Sequence, residues 1–204
     1  MAALIEAARD PDYPAEIAIV VSNRPDAAGL ELAARAGIPV RTVDHTEYDD
    51  RASFEDTLTA ELDGAGVDLV CNAGFMRLLT SRFVERWHNR QLNIHPSLLP
   101  AYRGLNTHER VLADGAAITG CTVHVVREAM DDGPIVAQAA VPVLPDDDPD
   151  SLAARVLAAE HVLYPHALAL IASGTAKVIG ERVDRSGPHD PLQSLFSPPL
   201  GENG

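Results

Sequence analysis

Cysteine is scarce: Cys71 and Cys121 are the only two in 204 residues, and each lies inside a run that reads as a buried strand. A disulfide-stapled fold is thereby set aside, and reduced, buried thiols suit a cytoplasmic protein. No apolar run approaches the roughly 20 residues that a membrane-spanning helix needs. The opening stretch MAALIEAARDPDYP carries acids among its few apolar residues and no basic segment before a longer apolar core, so no export signal is read there. Basic residues are also few, 16 Lys and Arg against 30 Asp and Glu, which gives a formal charge of −14. Such a surface repels nucleic acid and anionic lipid at long range, so neither is expected as a partner. Any anionic substrate must be held by a local pocket. The histidines show neither HxxxH nor Cys–His ligand spacing, so no metal is expected. There is no internal repeat, and nothing in the sequence specifies an oligomer.

What is present is ordinary for a globular chain: 46% apolar and 23% charged residues, enough for one domain with a substantial core. Apolar β-branched runs alternate with helical patterns. Strands are predicted at Ile17–Val21, Pro39–Val43, Leu69–Ala73 and Gln91–His95, and helices at Ala27–Ala36, Ser53–Ala65 and Ser81–Arg86. The pattern predicts an α/β fold, a doubly wound and mostly parallel sheet covered on both faces. The second half differs. After a helix at Thr107–Ala113, the runs GCTVHVV and PIVAQAAVPV close quickly in sequence through REAMDDG, which predicts an antiparallel excursion. A long helix follows from Asp150, as cap, to about Ser173, with Gly174 closing it, and AKVIG gives a last short strand. The expected organisation is one domain over 1–183 and a poorly ordered, Pro/Gly/Ser-rich tail over 184–204.

The sharpest chemistry lies in QLNIHPSLLPAYRGLNTH, residues 91–108. Asn93 and His95 are two apart on a predicted strand, so both side chains leave the same face, and Pro96 ends the ladder there. An amide donor and an imidazole therefore sit at the carboxyl end of a strand, where open α/β sheets bind ligands. A second element is MDDGP, residues 130–134. Asp131 and Asp132 before Gly133 form either a plain turn or a carboxylate that reaches a histidine across a cleft and keeps it protonated. A charged imidazole beside an amide makes a two-donor site for a developing oxyanion. The third is CNAGFMRLLT, residues 71–80, where Phe75, Met76, Leu78 and Leu79 are either core or the wall of a pocket for a flat ring.

Taken in order, AGFMRLL, LNIHPSLLPAYRGLNTH, VHVV…MDDGPIVAQ and AEHVLYP resemble the phosphoribosylglycinamide formyltransferases, the folate enzymes of purine synthesis, from Ile17 to Gly180. NIHPSLLP and DDGP are shared across formyltransferases. GLNTH and EHVLYP are closer to the purine enzymes. The resemblance implies a Rossmann-like formyltransferase fold, 10-formyltetrahydrofolate as formyl donor and the amine of phosphoribosylglycinamide as acceptor. It implies catalytic roles for Asn93, His95 and Asp131. A folate pocket is implied at Met76, Arg77, Leu78 and Leu79 and at Arg127, Glu128, Ala129 and Met130, with Arg51 near the folate carboxylate. Substrate contacts are implied for Pro96 and for Glu160, which would hold the glycinamide end. For Arg51 and Glu160 a solvated helix-face charge is the competing reading.

The family's first strand and Gly-Ser-rich phosphate loop have no counterpart ahead of MAALIEAAR. The expectation is a domain truncated at its amino terminus by a start assigned too far downstream, and, if the chain is this short, weak folding and poor phosphate binding. Two other activities share most of these residues: hydrolysis of formyl-folate or another formyl transfer, and folate binding without turnover.

Overall fold

The computed structural model describes residues 1–185 and residue 197. The described chain forms two compact units. One comprises Met1–Asn93 with Val126–Glu128, and the other Ile94–Val125 with Ala129 onward.

In the first unit the chain begins with helix α1, Ala2–Ala7, and continues through β1 (Val20–Ser22), α2 (Ala28–Arg35) and β2 (Val40–Thr42). After a 3₁₀ turn at His45–Glu47 come α3 (Arg51–Gly64), β3 (Val70–Cys71), α4 (Ser81–Arg86) and β4 (Gln91–His95), whose last two residues belong to the second unit. β1 pairs with β2 and β3 with β4, both in parallel. The helix starts are chemically marked. Asp50 accepts from the Ser53 N–H at α3, and Thr80 from the Phe83 N–H at α4, each satisfying a donor that the first turn leaves open. Val43, Phe54, Leu58, Leu62, Phe83 and Trp87 form the buried cluster, with Val21 and Val70 packed against it.

Three expectations need correction here. Strand β1 is shorter than Ile17–Val21 and starts later, because only Val20–Ser22 finds ladder partners on β2. β3 is two residues rather than five, so Cys71 is half-buried instead of enclosed. The residues of β1 are likewise half-buried, and in β2 Arg41 and Thr42 are exposed, although coverage of both faces was expected. Among the described residues, β1 pairs with β2 alone.

In the second unit α5 (Thr107–Ala113) leads to β5 (Ile118–Val125) and β6 (Ile135–Pro142), then α6 (Pro149–Ala172), β7 (Ala176–Ile179) and β8 (Arg182–Arg185). β5 and β6 are antiparallel, from Ile118 opposite Pro142 to His124 opposite Ile135. The excursion expected from closely spaced strands is therefore present. α6 packs on both strands, and Leu152, Val156, Leu163, Ala167 and Leu168 supply its buried stripe. Its cap is Asp148, not Asp150. The Asp148 carboxylate accepts from the Ser151 N–H, the Ser151 hydroxyl accepts from the Asp148 N–H, and Pro149 opens the helix where no backbone donor is required. The helix ends at Ser173, and Gly174 takes a φ of 73° just beyond it. β8 pairs with β7 and runs through Arg185, so residues 184 and 185 are strand rather than tail; the remainder of the expected tail lies outside the described residues, residue 197 apart. Among the described residues no helix is long and apolar enough to cross a membrane.

Gly120 fixes the spacing of β5 and β6. A Cβ there would fall 1.9 Å from the Ala139 carbonyl oxygen and 2.9 Å from Leu98 Cδ2. Gly120→Ala is expected to lower stability by at least about 2 kcal/mol, because backbone rather than a flexible side chain must move. Urea unfolding checks this, and an unchanged midpoint would refute it.

Candidate active site

The loop after β4 is tied down by polar groups of the second unit. Thr122 on β5 donates its hydroxyl to the Ser97 carbonyl at 2.7 Å and accepts from the Leu99 N–H at 3.0 Å. Gln138 on β6 donates to the Leu99 carbonyl at 2.9 Å. The Ser97 hydroxyl donates to the Ala101 carbonyl at 2.6 Å. This lattice makes a well-placed site of a segment with little secondary structure, since buried backbone groups must find partners.

Within it, His95 closes β4 with its ring enclosed. Its Nδ1 lies 3.3 Å from Asp131 Oδ2, with the two side chains 7% and 11% exposed. Its Nε2 lies 2.9 Å from the Tyr102 carbonyl oxygen. Both ring nitrogens thus face acceptors, and both contacts are attractive when each nitrogen carries hydrogen, the imidazolium form. Asn93 precedes His95 by two residues on the same strand and is half-buried.

Asp131 reaches His95 through an unusual backbone, with a φ of 52°, a left-handed conformation that Asp tolerates better than most residues. Its Oδ2 also accepts from the Gly104 N–H at 2.9 Å. Burial pushes the carboxyl pKa up. The His124 side chain, the Gly104 N–H and the nearby His95 ring together outweigh burial, and the carboxyl is held below its ordinary value. Asp131 also borders a cleft of about 350 Å3, lined in addition by Leu99, Arg103, Asp132, Ile135 and Arg182. Asp132 is not part of the histidine pair. It is paired with Arg103.

The remaining candidates fall into separate groups. In the first unit the loop ahead of α4 divides the apolar run: Phe75 and Leu79 pack on the core cluster, whereas Met76 is 80% and Leu78 57% exposed. Arg77 lies over the Phe54 ring. The loop's end is anchored where the Thr80 N–H donates to buried Glu55 at 2.8 Å. Arg127 donates to Asn89 at 2.7 Å, and Glu128 accepts from the Ser81 hydroxyl at 2.6 Å, which brings Glu128 to the start of α4. Arg51 is exposed at the first position of α3. In the second unit Ala129 and Met130 are exposed and Pro96 is half-buried. Glu160 is half-buried on α6, where burial raises its carboxyl pKa. Cys121 is buried on β5, and burial foremost, then the charge of Glu160, pushes its thiol up to about 12, an unreactive state. Among the described residues no cluster of three or more His, Cys, Asp or Glu is arranged to hold a metal ion.

Sequence reasoning missed His124 and two backbone groups, the Tyr102 carbonyl and the Gly104 N–H. His124 Nε2 lies 3.7 Å from Asp131 Oδ1, an ion-pair distance, and its Nδ1 lies 3.1 Å from the Val125 carbonyl. Its signal was available: it follows Thr122 by two on β5, the same spacing that singled out Asn93 and His95.

An enclosed His–Asp pair at the end of a parallel strand is suited to holding developing charge and moving protons, and comparison with known proteins gives the family its name. A family profile described as formyl transferase matches residues 1–168, so the chain belongs to the formyl transferase family. Among curated relatives, it is 48% identical to the human (Homo sapiens) trifunctional purine biosynthetic protein adenosine-3 over 86% of this chain, but spans only 17% of that protein's length. It is 41% identical to the phosphoribosylglycinamide formyltransferase of Escherichia coli (strain K12) over 86% of this chain and 83% of the other. Among solved structures, glycinamide ribonucleotide transformylase 1 from Symbiobacterium toebii superposes with a TM-score of 0.86 at 45% identity, over 89% of this chain and 86% of that one.

Proposed function

We propose that the chain transfers the formyl group of 10-formyltetrahydrofolate to the amine of phosphoribosylglycinamide. The observation that carries the reading is the enclosed contact between His95 and Asp131, on a chain of the formyl transferase family. The Escherichia coli relative, of similar length, is named phosphoribosylglycinamide formyltransferase, and the longer human relative is named as a trifunctional purine biosynthetic protein.

In this mechanism the substrate amine attacks the formyl carbon, and the formyl oxygen becomes an oxyanion. Asn93 and His95 donate to that oxyanion, His95 by exchanging the Tyr102 carbonyl for the stronger, charged acceptor. Asp131, ionised at the outset, faces the His95 ring as its counter-charge. The attacking amine loses one proton and the departing folate nitrogen gains one. Asp131 relays it through water, for which the bordering cleft has room. Glu160 would hold the glycinamide end and Pro96 would shape the floor beside it. Exposed Met76 and Leu78 suit the apolar face of a pterin ring, with Arg77, Leu79, Arg127, Glu128, Ala129 and Met130 completing the folate contacts and Arg51 meeting the folate carboxylate.

The test mixes the protein with 10-formyltetrahydrofolate with and without phosphoribosylglycinamide. Acceptor-dependent loss of formyl-folate, with formylated product, is expected. Formate release without acceptor would replace the reading by hydrolysis, and folate affinity without turnover would replace it by a binding module.

A further inference from the structure

Asp131 is held by more than the ring it serves. Its Oδ2 faces His95 and the Gly104 N–H, and its Oδ1 faces a second imidazole, His124, at 3.7 Å. His124 is nearly inaccessible, 2% exposed, on β5. It stands at a register shift: Val123 opposes Ala137 while His124 opposes Ile135, so Val136 is an extra residue on β6. Such bulges re-aim side chains near functional sites. The far nitrogen of the ring lies 3.1 Å from the Val125 carbonyl, which fixes its orientation. The other groups facing this carboxylate are the Gly104 N–H and His95, with His108 beyond His95.

We propose that His124 is a positioning residue that holds the Oδ1 side of Asp131, so that Oδ2 is presented to His95. Contacts on Oδ2 alone leave the Oδ1 side of the carboxylate unrestrained, and His124 engages that oxygen. The inference rests on the proposed transfer reaction for its rate readout, but not for its structural one.

Three variants test it. His124→Gln keeps an N–H donor at the place of Nε2. His124→Asn keeps a donor toward Val125 but falls short of Asp131, and His124→Leu keeps neither. Formyl-transfer kcat is expected to fall about tenfold in H124N and H124L with KM nearly unchanged, the effect of one lost charge-assisted contact, and H124Q is expected to recover most of the rate. Independently, 13C NMR of the labelled Asp131 carboxyl, without substrate, should show its titration moved upward in H124N and H124L and near the wild-type position in H124Q. An unmoved carboxyl titration in the folded variants, or an H124Q as slow as H124N, overturns the proposal. If H124L does not fold, the contrast of H124Q with H124N still decides it. If the wild type transfers no formyl group, the reaction reading fails while the carboxyl titration still decides the role of His124.

Discussion

His95→Asn is expected to lower formyl-transfer turnover by about 10²- to 10³-fold, the loss that follows removal of one oxyanion donor, while folate affinity stays nearly unchanged. The split follows from when the contact is made. In the absence of an oxyanion the Nε2 of His95 faces the Tyr102 carbonyl, so a bound donor substrate gains little from it. The contact with the oxygen strengthens as that oxygen acquires charge, which lowers the barrier without tightening the ground state. Asparagine is small enough for the enclosed site and keeps one amide donor, but it places no positive charge opposite Asp131. Steady-state rates and a folate titration on the same preparation check the prediction. Turnover near wild type would remove His95 from the chemistry, and an equal loss in both measurements would make it a folate-binding residue instead.

Asp131→Asn is expected to slow turnover by about a hundredfold or more, within the range that general acid–base groups supply. It should also alter acid sensitivity in a defined direction. The folded carboxyl of Asp131 is held below its unfolded value, chiefly against burial, by His124, the Gly104 N–H and His95. Its contribution to stability is therefore fully present above the unfolded carboxylate value, about 3.9, and is lost as pH falls through the lower, folded value. The stability difference between wild type and D131N should shrink as pH falls below that point. Denaturation across pH 3 to 7 (about the range in which single carboxylates titrate and folds persist) reads it directly. A difference that does not shrink below about pH 3.9 would show that the carboxyl is not stabilised in its charged form.

The elements with the clearest local signals were legible in the sequence to the residue. Gln91–His95, Ser81–Arg86 and Thr107–Ala113 have the predicted ends, because Pro96, Thr80 and the turn at Gly115 act within a few residues of them. β1 and β3 were read too long, because apolar β-branched residues mark capacity for a strand while hydrogen-bonded partners on a neighbouring strand decide its length. β8 was not read, since RVDR has three charged residues and a single apolar one and gains its strand form by pairing with β7. At the site, the spacing of Asn93 and His95 and the MDDGP turn were visible as side-chain patterns. The Tyr102 carbonyl and Gly104 N–H were not, because any residue supplies them and the loop's fold selects which ones. His124 shares the two-residue spacing with Thr122, but within the apolar VHVV it reads as a strand residue, and its partner becomes apparent only when the next loop returns.

The left-handed turn at Asp131 narrows what chemistry can be substituted there. Glutamate carries the same charge but one more methylene, and it would have to pay both for an unfavourable backbone and for a carboxylate displaced past His95 and His124. Asparagine fits the backbone but abolishes the charge. On the proposed mechanism, position 131 therefore admits close to an on–off choice, with no graded series of weaker acids between the two.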